Sequence, residues 1–207
     1  MTARFITLEG GEGVGKSTQA RRLAEALRAR GKDVVETREP GGSPGAETIR
    51  ALLMTGNADR WTPGAEALLF AAARADHVAK TIRPALAAGK WVVCDRFLDS
   101  SLAYQGGADG IDVPDILRLH KIGSGGLMPD RTLLLALPAE DAAGRAALRD
   151  GEAADRFGAR GTDYHARVAA TFRQIASGEP DRFAIVNAEG DPQTVTIRLL
   201  DALTDLL

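Results

Sequence analysis

The stretch Gly10-Gly11-Glu12-Gly13-Val14-Gly15-Lys16-Ser17-Thr18 fits G-x-x-x-x-G-K-[ST], the phosphate-binding P-loop. No other feature of the chain restricts its fold so tightly, because such a loop works between a strand and a helix. Both flanks are present. Phe5-Ile6-Thr7-Leu8 is a short apolar, β-rich run. Gln19 to Ala29 has helical periodicity, with Leu23, Ala26 and Leu27 apolar and Arg21, Arg22, Glu25 and Arg28 polar. Glycines let backbone N–H groups converge on an anion, and the helix N-terminus adds its unpaired N–H groups. Gly10 to Thr18 is therefore expected to hold the phosphates of a nucleotide. Within it, Lys16 is placed for the β- and γ-phosphates and the Ser17 hydroxyl for Mg²⁺.

The rest of the chain alternates β and α. Gly31 ends the first helix, and Lys32 to Thr37 reads as a second strand. Arg38-Glu39-Pro40-Gly41-Gly42-Ser43-Pro44-Gly45 is a loop at a strand end, where open α/β sheets place ligand contacts. A short helix from Glu47 to Met54 carries Arg50, and a longer one from Thr62 to about Leu86 carries Phe70, Arg74, His77 and Lys80. Lys90-Trp91-Val92-Val93-Cys94-Asp95 is a buried strand delivering a carboxylate to its end, a Walker-B-like pattern. Ser100 to Gln105 reads as helix ended by Gly106-Gly107, and Val113 to Ile122 as another. Arg131 to Leu137 is the fourth strand, Ala139 to Arg149 a helix, and Asp150 to Thr162 a mobile lid. Tyr164 to Ser177 is helical, Phe183 to Val186 is the fifth strand, and Pro192 to Leu207 closes the chain as an amphipathic helix.

This alternation predicts a parallel sheet with helices on both faces, in one domain over residues 1–207 with a lid at about 139–162. A net charge of −2 gives no bulk attraction to nucleic acid or anionic membrane. No apolar run approaches the ~20 residues of a membrane span, and no signal peptide is evident. The single cysteine, Cys94, has no internal disulfide partner and reads as a buried apolar group. A cytoplasmic protein is expected.

A P-loop predicts a nucleoside triphosphate, not what is done with it. Three further motifs are Arg38-Glu39-Pro40-Gly41-Gly42, Phe70-x-x-x-Arg74 and Asp95-Arg96-Phe97-Leu98-Asp99-Ser100-Ser101-Leu102-Ala103-Tyr104-Gln105-Gly106. With the glutamate-bearing P-loop, in this order, they resemble the signatures of bacterial thymidylate (dTMP) kinases over nearly the whole chain. The resemblance implies a P-loop nucleoside monophosphate kinase fold, a five-stranded parallel sheet in order 2-3-1-4-5. It implies a homodimer that transfers the γ-phosphoryl of ATP to dTMP. Phosphoryl transfer of this kind is positioning plus charge neutralisation.

Under that resemblance Arg96 and Arg50 bind the acceptor phosphate, Arg96 with a planar fork suited to it. Asp95 holds Mg²⁺ or its water shell, or orients the acceptor through Arg96. Glu12 faces the sugar 3′-OH or the metal-bound phosphate region, and Glu39 joins it. Phe70 stacks on thymine, Arg74 bonds its O4 and Ser101 faces N3. Tyr104 crowds the ribose 2′ position and Gln105 lies near the base. Transition-state charge falls to a lid arginine among Arg145, Arg149, Arg156 and Arg160. Arg149 is the first choice, then Arg156, whose Asp155-Arg156-Phe157 resembles the family's D-R-F-E with Gly158 in place of the glutamate. The chain lacks the N-K-x-D guanine motif of GTPases. A kinase for another monophosphate lacks a reason for the thymine-facing set, and a nucleotide-dependent switch lacks one for paired acceptor arginines.

Overall fold

The computed structural model describes residues 2–57, 59–150, 156–158 and 160–207, without the side chains of residues 147–150. The strands are β1 (Phe5–Glu9), β2 (Val34–Arg38), β3 (Trp91–Asp95), β4 (Arg131–Ala136) and β5 (Phe183–Asn187). They form one parallel sheet in the order β2-β3-β1-β4-β5, as the resemblance implied. The helices are α1 (Lys16–Ala29), α2 (Pro44–Met54), α3 (Pro63–His77), α4 (Arg83–Ala87), α5 (Leu98–Ser101), α6 (Val113–Ser124), α7 (Ala139–Asp150), α8 (Thr162–Gly178) and α9 (Pro192–Asp201).

Burial on both faces explains the unbroken apolar strands. Ile6, Leu8, Trp91, Val93, Leu133 and Leu135 pack with Leu23 and Leu27 of α1 and Val195 and Leu199 of α9. The alternate residues Phe5, Val92 and Cys94 pack with Val78, Ile82, Phe97 and Ile116 on the other side. A third cluster joins Tyr104, Leu134, Phe157, Tyr164, Val168 and Phe172 beneath α8. Cys94 is buried, as expected.

Two helices depart from the sequence reading. The long helix after Thr62 runs on to Ala87, but its middle, Val78–Ile82, is π-helical. More telling, Gly106-Gly107 does not stop the helix that begins after Phe97. After α5 the chain continues as a π-helical segment, Leu102–Ala108. The glycine serves close packing instead: a Cβ on Gly107 would stand 1.9 Å from Thr171 Oγ1 of α8. π-Helical turns in this position are frequent at functional sites, and this one carries Tyr104 and Gln105. Smaller corrections are that β2 starts at Val34, and that the closing helix ends at Asp201. Of the expected lid, residues 151–155 and 159 lie outside the described residues.

Candidate active site

The site forms where the C-terminal ends of β1, β3 and β2 lie side by side. Leu8 of β1 pairs with Asp95 of β3, and Asp95 pairs with Arg38 of β2. β1 runs through Glu9 into the P-loop, and Lys16 opens α1. The Lys16 amine donates to the Gly11 carbonyl at 2.6 Å, folded back along its own loop. Burial, followed by the Arg96 charge, pushes its pKa down to about 8.

β3 delivers Asp95 against α1. The Ser17 hydroxyl donates to Asp95 Oδ2 at 2.5 Å, and Asp95 Oδ1 is buried with no hydrogen-bond partner among the described residues. A carboxylate oxygen without a partner beside a hydroxyl suits a hard cation that takes oxygen ligands. Among the described residues no three His, Cys, Asp or Glu side chains cluster to hold a metal alone. The donor set therefore fits Mg²⁺ completed by nucleotide phosphates and water rather than by a protein cage.

The next residue, Arg96, is the only described non-glycine residue with positive φ, at 68°. A left-handed backbone costs a side-chain-bearing residue about 1–2 kcal/mol, so the surroundings must hold it. The Arg96 N–H donates to Leu8 O at 3.0 Å, and the Phe97 N–H donates to Glu9 Oε1 at 2.7 Å. Glu9 Oε2 lies 2.6 Å from Ser100 Oγ, which also receives Arg96 Nη1 at 3.2 Å. The turn sends the guanidinium back over the P-loop, where it pairs with Glu12 and lies 5.1 Å from the Tyr104 ring centroid. Tyr104 donates to the same Glu12 oxygen at 3.1 Å. Glu9 is fully buried. Desolvation, then the nearby Asp99 charge, pushes its pKa up to about 8.

Helix α3 builds the opposite wall. Glu66, Phe70, Arg74 and His77 follow at spacings of four, four and three, which puts them on one face. Arg74 is buried; its Nε donates to Glu39 Oε2 at 2.8 Å, and its Nη2 donates to Ser101 Oγ at 2.7 Å and Phe97 O at 3.2 Å. Arg50 Nη1 donates to Pro40 O at 2.9 Å. Gln105 donates to Glu66 at 3.2 Å.

One cavity of about 370 Å³ joins the two walls. It is lined by Glu12, Lys16, Ser17, Asp95 and Arg96, with Tyr104 against Glu12 and Arg96, and by Glu39, Arg50, Phe70, Arg74, Ser101 and Gln105. Gly10, Gly11, Gly13, Val14, Gly15 and Thr18 shape the loop around it, with the Val14 side chain in the core.

Of the lid arginines, Arg156 and Arg160 are engaged with Glu66. Arg156 donates to Leu53 O and Asn57 O at 2.8 Å and pairs with buried Glu66 at 3.3 Å. Arg160 joins Glu66 at 3.1 Å and Asp109 at 2.7 Å. Arg145 donates to Ala188 O at 3.3 Å, and the Arg149 side chain lies outside the described ones. Arg156 and Arg160 are thus tied to Glu66, which also receives Gln105 of the cavity lining.

Sequence reasoning missed Glu9, Glu66, His77 and Phe157. Glu9 carried the same signal as Asp95, an acid at the end of a buried strand. Glu66 and His77 shared the helical face of Phe70 and Arg74. Phe157 lines the cavity edge-on to Phe70, with ring centroids 5.7 Å apart, through a contact no local pattern encodes.

Sheet order, P-loop and the two-walled cavity define a P-loop nucleoside monophosphate kinase. Comparison with known proteins narrows this. The thymidylate kinase family model matches residues 8–197. A thymidylate kinase from Rhizorhabdus wittichii is 67% identical over 207 residues, all of both chains. One from Caulobacter vibrioides is 50% identical, covering 98% of this chain and 97% of its own. The crystal structure of thymidylate kinase from Ehrlichia chaffeensis superposes with a TM-score of 0.80 at 31% identity, covering 98% of this chain and all of that one. The chain belongs to the thymidylate kinase family.

Proposed function

We propose the following division of labour in a chain that phosphorylates dTMP with ATP, giving dTDP and ADP. The observation that carries it is one cavity lined both by the P-loop amine of Lys16 and by the acceptor arginines Arg96 and Arg50. The P-loop, Gly10 to Thr18, cradles the ATP phosphates. Lys16 exchanges the Gly11 carbonyl for the β- and γ-phosphates. Ser17 and Asp95 would hold Mg²⁺, which would supply charge neutralisation to the nucleotide phosphates.

Arg96 and Arg50 grip the acceptor phosphate. Glu12 holds the Arg96 guanidinium over the P-loop until that phosphate arrives, and then turns toward the sugar 3′-OH. Phe70 stacks on thymine, Arg74 reads O4 and Ser101 faces N3. Tyr104 fills the space a 2′-hydroxyl needs, and Gln105 borders the base. Glu39 serves from behind Arg74. Arg149 supplies transition-state charge, since Arg156 is already engaged with Glu66.

The same reading makes the protein a cytoplasmic homodimer. None of its described helices is long and apolar enough to cross a membrane. Exposed Leu52, Leu68, Leu117 and Ile122 sit on α2, α3 and α6, with α3 packed on both others, and offer a surface for a second copy. ADP release measured with a panel of nucleoside monphosphates tests the activity. Turnover should require dTMP and Mg²⁺. ADP formation no faster with dTMP than with buffer, alongside rapid turnover of another monophosphate, overturns it.

A further inference from the structure

Behind Arg74 stands a buried relay that the reaction does not touch. His77 has no solvent exposure. Its Nδ1 lies 3.0 Å from Glu39 Oε1, and its Nε2 lies 2.7 Å from Thr37 Oγ1. The other Glu39 oxygen receives Arg74 Nε at 2.8 Å. With Nδ1 donating to the Glu39 carboxylate, a neutral imidazole leaves Nε2 to accept from the Thr37 hydroxyl. The donors therefore run in one direction, from Thr37 to His77 to Glu39, with Arg74 donating from the far side.

A strand, the loop after it and a helix meet in this relay. Thr37 is on β2, Glu39 just beyond it, and His77 and Arg74 on α3. The glycine-rich loop closes over it. A Cβ on Gly42, whose φ is 81°, would stand 2.4 Å from both His77 Nε2 and Thr37 Oγ1. Thr81 Oγ1 donates to the Gly42 carbonyl at 2.6 Å and pins the loop there. Glycine at this position thus follows from the relay beneath it, not from a phosphate contact. Arg74 spends Nε on Glu39 and Nη2 on Ser101 and Phe97, so Nη1 is its nitrogen with no partner among the described residues, and Arg74 lines the cavity.

We propose that His77 is a positioning residue for the acceptor base: by orienting Glu39 it locks the Arg74 guanidinium so that one nitrogen faces a pyrimidine carbonyl. The inference rests on the reading of Arg74 as the base-contacting arginine. His77 itself touches neither nucleotide, and the donor site does not depend on it.

The test uses His77→Gln and His77→Asn in the full chain, with initial rates varied in dTMP and in ATP. The asparagine amide can stand where Nδ1 stands, whereas the glutamine amide reaches the Nε2 position and loses the bond to Glu39. Loss of a charge-assisted hydrogen bond predicts a rise of about tenfold in KM for dTMP in His77→Gln. The KM for ATP stays within about twofold and kcat changes little. His77→Asn restores most of the dTMP affinity, and in an Arg74→Ala background His77→Gln raises KM no further. Equal rises in both KM values, or a lower kcat with unchanged KM for dTMP, overturn the proposal. So does a rise in KM for dTMP that persists undiminished without Arg74. Should His77→Gln not fold, Thr37→Val removes the hydroxyl donor to Nε2 and is held to the same split. Arg74→Ala alone separates the two levels. If it leaves KM for dTMP unmoved, the assignment of Arg74 fails; if it raises KM and the His77 variants do not, only the relay fails.

Discussion

Replacing Glu9 by glutamine should change how stability depends on pH, and in a direction that the buried carboxylate fixes. Glu9 lies wholly inside, with Asp99 nearby and its own oxygens engaged with the Phe97 N–H and Ser100. Asp99 is paired with Arg182, which meets both its oxygens at 2.7 and 2.8 Å and also binds Glu179 at 2.7 Å. Burial, then Asp99, lifts Glu9 from 4.5 to about 8. The folded chain therefore binds a proton that the unfolded chain releases, and stability falls as pH rises from about 4.5 to 8. At about 1.4 kcal/mol per unit, integration between pH 5 and pH 8 gives a loss of about 3–4 kcal/mol from this site. Glutamine mimics the protonated form: its carbonyl can accept from Phe97 and its amide can donate to Ser100. Urea unfolding of both proteins at intervals from pH 5 to pH 8 measures the difference. The stability gap should grow in favour of Glu9→Gln as pH rises, by about that amount, a large share of the roughly 5–15 kcal/mol of a typical domain. Parallel stability curves, or a gap growing the other way, refute the argument that Glu9 is buried as the neutral acid.

Other consequences concern catalysis and the lid. Lys16→Ala should lose at least about a hundredfold in kcat/KM while keeping its unfolding midpoint, since among the described residues its amine bonds only a carbonyl of its own loop; near-normal turnover contradicts its role. Lys16 must be charged to hold phosphates, and its pKa is about 8, so kcat/KM for ATP should fall as pH rises above about 8. A profile flat to pH 9.5 contradicts this. Arg96→Ala should raise KM for dTMP far more than KM for ATP, and an effect confined to ATP removes Arg96 from the acceptor site. Glu66→Ala strands Arg156 and Arg160 without their shared carboxylate. It should cost about 3–5 kcal/mol as a broken buried pair and speed proteolysis in the lid; an unchanged unfolding midpoint and an unchanged cleavage rate refute the latch.

The parallel sheet and the P-loop could be read from the chain because their signals are local: apolar runs, glycine spacing and acids at strand ends. The strand order came with the family resemblance, not with periodicity. What escaped was built by tertiary contact. Gly106-Gly107 carries the composition of a helix stop, yet Thr171 on a distant helix dictates why a glycine is there. Arg156 has the sequence setting of a phosphate-facing lid arginine, yet buried Glu66 and two backbone carbonyls hold it. Glu39 was expected beside Glu12. Its partners Arg74 and His77 lie 35 and 38 residues away on α3, and no spacing rule links them.

The central claim is that donor and acceptor pockets are two walls of one cavity across a shared sheet edge. A bisubstrate ligand, adenosine and thymidine joined 5′ to 5′ through five phosphates, tests it by calorimetric titration. One molecule should bind per chain, compete with both ATP and dTMP, and lose affinity in Lys16→Ala and in Arg96→Ala alike. Competition with only one nucleotide, or a loss in only one of the two variants, would contradict the account.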